Sequence, residues 1–215
     1  MGEVEIHTGR NELLIHSFIF LYGGAANAAL SEKVAADIEN HWNAPAAKMQ
    51  YQGRLLRIRF AITGHYLTDL EPITVISNTN PRNNYFRVEE VAPGNISFVD
   101  GLGCNTGWLL LANLLQDSTT AAHEYGHTLG LPHPPSLDLR GRGAPGIMYP
   151  RGTLTDPAFQ YDPQAPAGGP GGTLNPKYRK VQTSDIEALG LHRLPLNERG
   201  NAVVGDFSSC WHEAP

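Results

Sequence analysis

Three histidines between residues 123 and 133 have the spacing of a metal site. The segment reads HEYGHTLGLPH and places His123 four residues before His127, in a stretch whose pattern predicts a helix. Side chains four residues apart project from the same helical face, so both imidazoles are expected to reach one metal ion. Gly130 can adopt a positive φ, which would end the helix and bring His133 back as a third ligand.

The donor set predicts a catalytic site rather than a structural one. A structural zinc takes four protein ligands, whereas a catalytic zinc keeps one position open for water. No cysteine lies near the motif at short spacing, so we expect one Zn²⁺ with an open position. Glu124 follows the first ligand, and its carboxylate is expected to face that water as a general base. The alternative is that a histidine on an amphipathic helix belongs to the core, and we adopt it for the histidines outside the motif.

Composition indicates a folded domain and argues against several partners. The chain has 215 residues, 41% hydrophobic and 17% charged, which suits one domain rather than a disordered chain. The net charge of −5 argues against a nucleic-acid partner, for which a basic stripe would be expected. The apolar run over 13–22 is too short to span a membrane. We therefore expect no nucleic acid and no membrane as partner. Cys104 and Cys210 are the only cysteines, and they could be bridged or reduced.

Hydrophobic patterns predict the elements that must position the motif. Strands are expected where β-branched and aromatic residues cluster or alternate with polar ones: 11–22, 55–62, 73–77, 85–91 and 96–99. Helices are expected at 25–42, where apolar residues recur at helical spacing, and at 185–191, where capping residues come first. The motif helix is expected to follow the capping residues 117–119 and to end at Leu129. Residues 108–115 are apolar without a clear period and receive no assignment.

The chain changes character near Gly130. Strands and two helices are expected before it, whereas frequent proline and glycine residues interrupt regular structure after it. This pattern predicts an α+β fold in one domain over 1–215, with an N-terminal lobe of about 1–130 and a C-terminal lobe of about 131–215. The Gly/Pro-rich segment 151–180 could shape specificity, cover the site or be a permissive insertion.

The motif resembles the extended zinc-binding motif of the metzincin metallopeptidases. Metzincins also carry a methionine-containing turn below the zinc, and residues 146–150 (GIMYP) look like that turn. Ala121 and Ala122 before the first ligand, the MYP trio, and the TSDI that opens the last helix are most similar to the matrixin branch. The close resemblance covers about 117–150 and 183–191.

This resemblance implies a zincin fold and an activity. The fold would be a twisted, mixed, mostly parallel sheet with a backing helix and an active-site helix, followed by a loop-rich lobe. The activity would be that of a zinc-dependent endopeptidase, which adds an extended protein or peptide substrate to an edge strand at 85–91 or 96–99. Met148 would give the metal site an apolar base, and Thr119 and Tyr149 are candidates for the substrate pocket.

The chain also departs from the matrixin pattern. Pro150-Arg151-Gly152 stands where matrixins continue the pocket wall as Pro-x-Tyr, so their pocket shape is not carried over. No counterpart of the loop that holds a second zinc and structural calcium is visible, and no cysteine-switch motif.

We expect a secreted or exported monomeric peptidase, although residues 1–5 do not resemble a signal peptide. One alternative is a catalytically silent zinc-containing module that binds extended peptides. Glu124 argues against it, because a pure binder has no need of that carboxylate. Another alternative is a peptidase effector or toxin that is delivered to other cells.

Overall fold

A computed structural model describes residues 1–115 and 118–215. Its strands are β1 (Gly2–His7), β2 (Glu12–Tyr22), β3 (Lys48–Tyr51), β4 (Arg54–Tyr66), β5 (Asn83–Glu89), β6 (Phe98–Val99), β7 (Thr106–Leu110) and β8 (Asn201–Val204). Its α-helices are α1 (Ala28–Asn43), α2 (Pro72–Ile76), α3 (Thr120–Thr128) and α4 (Thr183–Ala188).

The strands form one curled, mixed sheet. The order along its main path is β3-β4-β2-β5-β7-β6. The central strands β4, β2, β5 and β7 are parallel, whereas β3 and β6 close the two ends in antiparallel fashion. β1 pairs with the first half of β2 and carries β8 on its other side. The expectation of an α+β fold with a mixed, mostly parallel sheet is confirmed.

Helix α1 backs the sheet through the apolar stripe that its sequence predicts. Leu30, Val34, Ile38 and Trp42 are all buried in the core. The helix begins three residues later than predicted because Asn27 caps it, its Oδ1 accepting the Leu30 N–H at 2.9 Å.

An aromatic group joins this helix, the sheet and α3. The ring of Trp42 lies 5.2 Å from that of Phe60 in β4 and 5.8 Å from that of Tyr125 in α3, between centroids. The Trp42 Nε1–H also donates to the Ala122 carbonyl at 3.0 Å. The contacts of the core therefore hold α3 in place without the help of a metal ion.

Two strand predictions are wrong in part. Residues 73–77 form no strand, since Pro72–Ile76 is a short helix with proline at its start, where a missing N–H costs nothing. The strand at 85–91 exists as β5 but is not an edge, because it lies between β2 and β7. Its residues after Asn83 are buried without alternation, which is typical of an interior parallel strand.

The other assignments are close to the structure. β6 is the edge strand within 96–99, as expected. The unassigned stretch 108–115 contains the end of β7 and a single 3₁₀ turn at Leu111–Asn113. Asp117, named as part of the cap of the motif helix, lies outside the described residues; α3 itself begins at Thr120.

The chain after α3 is held by turns and isolated bridges, and it then returns to the sheet. Bridges join Asp138 to Leu154, Gly146 to Lys180 and Gln160 to Leu174. β8 finally pairs with β1, which connects the end of the second part to the first. In the part of the chain that the structure describes, no helix is long and apolar enough to cross a membrane.

Candidate metal centre

Helix α3 carries two of the three histidines, and the turn after it brings the third. Tyr125 anchors this helix, because its fully buried hydroxyl lies 2.8 Å from Ser17 Oγ in β2. Gly130 has φ +92°, a conformation that ends the helix without the penalty a side chain would incur. His133 follows and comes within reach of His123 and His127.

The three Nε2 atoms converge. They are 3.2 Å apart for His123 and His127, 3.1 Å for His127 and His133, and 3.2 Å for His123 and His133. A tetrahedral site with metal–nitrogen bonds of about 2.0–2.1 Å requires nitrogens about 3.3 Å apart. The observed separations therefore suit three ligands of one metal ion.

The hydrogen bonds of the rings decide which nitrogens carry protons. The Nδ1 of His123 lies 2.7 Å from the Ile147 carbonyl, and the Nδ1 of His127 lies 2.8 Å from the Leu131 carbonyl. A carbonyl only accepts, so each neutral ring must hold its proton on Nδ1 and present a bare lone pair at Nε2. Lone pairs this close repel one another, and a cation between them removes that repulsion. These three residues could thus hold a metal ion.

Burial keeps the cluster in the neutral form that metal binding needs. Desolvation lowers the pKa of His127 to about 4 and that of His123 well below its usual value. The pKa of His133 is lowered as well, by desolvation and then by the positive charge of Arg179. Neutral imidazoles bind a metal without first losing a proton.

The turn at 146–150 lies against the ligand helix. Met148 is 3% exposed, and a methyl group added to Gly126 of α3 would lie 2.4 Å from its Sδ. Only glycine lets the thioether approach the helix so closely. The preceding residue, Ile147, supplies the carbonyl that orients His123, so this turn supports the histidine cluster from below.

Glu124 lies beside the ligands in a cleft of about 490 Å³. It is 6% exposed, and this burial raises the pKa of its carboxyl group to about 8. The charges of Arg179 and Arg151 act in the opposite direction and favour the carboxylate. β6, Leu102, Pro150, Arg151 and Arg179 also line the cleft.

Neither of the two candidate pocket residues is among those that line the cleft. Thr119 is 1% exposed, and its hydroxyl accepts from Arg179 Nε at 2.8 Å and donates to the Pro176 carbonyl at 2.7 Å. The Tyr149 carbonyl accepts from Arg179 Nη1 at 3.1 Å. Their neighbours Thr120 and Pro150 line the cleft itself, so contact of Thr119 or Tyr149 with a substrate stays a prediction.

Sequence reasoning missed the two arginines of the cleft. Arg151 and Arg179 come from the Gly/Pro-rich segment, where no periodicity or motif marks a functional side chain. The only signal is that both are charged residues in a segment predicted to adjoin the cleft. Cys104 and Cys210, whose state the sequence leaves open, are both free thiols.

Together these features define a candidate three-histidine metal centre at the edge of the mixed sheet of an α+β fold. Comparison with models of known protein families and with curated proteins finds no match.

Proposed function

We propose that this protein is a zinc-dependent endopeptidase of the metzincin type. The observation that carries the proposal is the convergence of three histidine Nε2 atoms, those of His123 and His127 unprotonated, next to a buried glutamate in an open cleft. The methionine turn packed below the ligand helix adds to it, since the resemblance implies such a turn.

Zinc is the metal that this donor set favours. Three imidazole nitrogens with an open fourth position are typical of catalytic zinc, whereas magnesium and calcium prefer oxygen. His123 and His127 are oriented through carbonyl acceptors, the outer contacts that metal-bound histidines usually have. A zinc ion held by these residues would lower the pKa of a water molecule and polarise a peptide carbonyl group.

Glu124 then moves the proton. It takes a proton from the attacking water and delivers it to the leaving nitrogen of the peptide bond. Its position one residue after His123 keeps the carboxylate beside the cluster; burial raises the pKa of the carboxyl group to about 8, and the charges of Arg179 and Arg151 partly oppose this shift.

The substrate is a protein or peptide in extended form. β6 ends the sheet, and residues 96–99 line the cleft next to the histidines. An extended segment can pair with the open main-chain edge of β6 and thereby lie across the site. Such pairing tolerates many sequences, because main-chain groups supply the hydrogen bonds.

The test is hydrolysis of an unfolded protein by the zinc-loaded chain. Glu124→Gln is expected to lower turnover about 100-fold or more, because general base catalysis is lost, and to leave one bound zinc per chain. A chelator should stop the wild type, and added zinc should restore it. Unchanged turnover in Glu124→Gln would exclude the mechanism.

The same experiment separates the proposal from a silent peptide-binding module. Such a module would bind the unfolded protein without cleaving it, with or without Glu124. Secretion, and the alternative of delivery to other cells, stay predictions from the sequence.

A further inference from the structure

Arg179 is a buried cation in the wall of the cleft. Its side chain is 3% exposed, yet it lines the cavity together with Glu124 and the three histidines. Arginine is rarely buried to this degree without a paired anion, since an unpaired charge inside a protein is costly. Burial lowers the pKa of Arg179 to about 10, so the guanidinium stays charged near neutral pH.

Within the part of the chain that the structure describes, Arg179 contacts only neutral oxygens. Its Nε and Nη1 donate to Thr119 Oγ1 and to the Tyr149 carbonyl, which are neutral oxygens. Among the described residues, none receives a hydrogen bond from Nη2, and no carboxylate lies within the 4.0 Å of an ion pair. The two contacts hold the guanidinium rigidly and leave part of it turned to the cleft.

The charged neighbours of Arg179 do not pair with it directly. Arg151 lines the same cleft and adds positive charge, and its Nη2 donates to Asn113 Oδ1. Glu124 acts on Arg179 from beyond ion-pair distance, and its carboxylate is assigned to proton transfer. A ligand that carries its own carboxylate would supply the missing partner, and a guanidinium suits a carboxylate geometrically.

The position of Arg179 relative to Glu124 indicates which substrate residue it meets. Glu124 hands its proton to the leaving nitrogen, and Arg179 lines the same cavity, with its Nε held by Thr119 Oγ1 at the start of the helix that carries Glu124. The nearest substrate side chain therefore belongs to the residue that contributes that nitrogen, directly after the cleaved bond.

We propose that Arg179 selects aspartate or glutamate at the position directly after the cleaved bond. This inference rests on the proposed endopeptidase function and names its substrate class: extended segments in which an acidic residue follows the scissile bond. Arg151 at the rim strengthens the field that attracts such a side chain.

The experiment compares two peptides that differ only by Glu or Gln directly after a defined cleavage site. The pair has the same shape, so the ratio of kcat/KM reports the charge. The wild type should favour Glu about 10- to 100-fold, the usual worth of a hydrogen bond to a charged group. Arg179→Met should bring the ratio near one, and Arg179→Lys should keep part of the preference.

Arg142→Met is the matched control, because Arg142 is exposed and is not among the residues that line the cleft. It should leave the ratio unchanged. A role of Arg179 that is only structural would lower both rates together and leave the ratio intact, which would overturn the proposal. If Arg179→Met fails to fold, the wild type and Arg179→Lys still decide, since a wild-type ratio near one is sufficient to refute it.

Binding separates this inference from the proposed function. Fluorescence anisotropy on zinc-loaded Glu124→Gln measures the affinity for both peptides without cleavage and should favour the Glu peptide. A wild type that cleaves without acidic preference refutes the role of Arg179 and leaves the endopeptidase intact. A chain that cleaves no peptide refutes the endopeptidase, and equal binding of both peptides then refutes the carboxylate site as well.

Discussion

Replacing Gly126 by alanine tests how closely the methionine turn packs under the ligand helix. The new methyl group would lie 2.4 Å from Met148 Sδ and 3.2 Å from both Met148 Cε and Trp42 Cζ2. Non-bonded heavy atoms are normally about 3.5–4.0 Å apart, so the sulfur must move by roughly 1 Å or more. Met148 and Trp42 are 3% and 0% exposed, so little free space is available for that movement.

Two effects of opposite sign compete in this substitution. Alanine in a helix interior is favoured over glycine by about 0.5–1 kcal/mol, which alone would stabilise the protein. Overpacking of a filled core costs about 1–3 kcal/mol. We expect the steric cost to prevail, giving a net loss of about 1–2 kcal/mol and a fall in melting temperature of about 2–8 °C.

The same displacement of Met148 should also weaken metal binding. Ile147, next to Met148, holds the His123 ring through its carbonyl, and loss of such an outer contact typically weakens metal binding about 10- to 100-fold. Calorimetric melting and zinc competition with a chelating dye measure the two effects. Gly9→Ala is the control, because no atom lies within 4 Å of its new methyl group. A Gly126→Ala variant as stable as the wild type would refute the packing described for Met148.

Other substitutions test the cluster and its supports. His133→Ala should abolish stoichiometric zinc binding, whereas His192→Ala, an equally exposed histidine, should keep it; zinc retained by the first variant would remove His133 from the ligand set. Zinc at 100 times its dissociation constant should raise the wild-type melting temperature by about 5–11 °C, and no rise would argue against a bound ion. Thr119→Val should cost about 1–3 kcal/mol in urea unfolding because Arg179 loses a buried partner, with Thr119→Ser as the control; a neutral valine variant would contradict that bond. Trp42→Phe should cost about 1–3 kcal/mol in the same assay, since it removes the side-chain hydrogen bond to the Ala122 carbonyl and part of a fully buried ring; an unchanged midpoint would contradict that contact.

Elements with strong local signals could be predicted from the sequence. The four-residue stripe of α1 identified its buried face, and the capping residue Asn27 accounts for its true start. The motif fixed α3 and its end at Gly130, because helix spacing and a positive φ are local properties.

Elements that depend on distant partners could not be predicted. β8 is short and becomes a strand only because it pairs with β1, some 200 residues earlier in the chain. The interior position of β5 likewise depends on β7, which no pattern marked. Arg179 belongs to the same class, because its burial arises from contacts with Thr119 and Tyr149.

The histidine cluster combines both kinds of information. His127 is oriented by the Leu131 carbonyl four residues later, so the turn at Gly130 prepares that ligand by itself. His123 is oriented by the Ile147 carbonyl, 24 residues away, and this contact requires the segment after His133 to fold back under α3. The Nε2 of His123 can therefore take its place beside the other two histidines only after the methionine turn has packed against Gly126. Completion of the proposed zinc site should then depend on folding of the second part of the chain, although all three ligands lie within eleven residues of sequence.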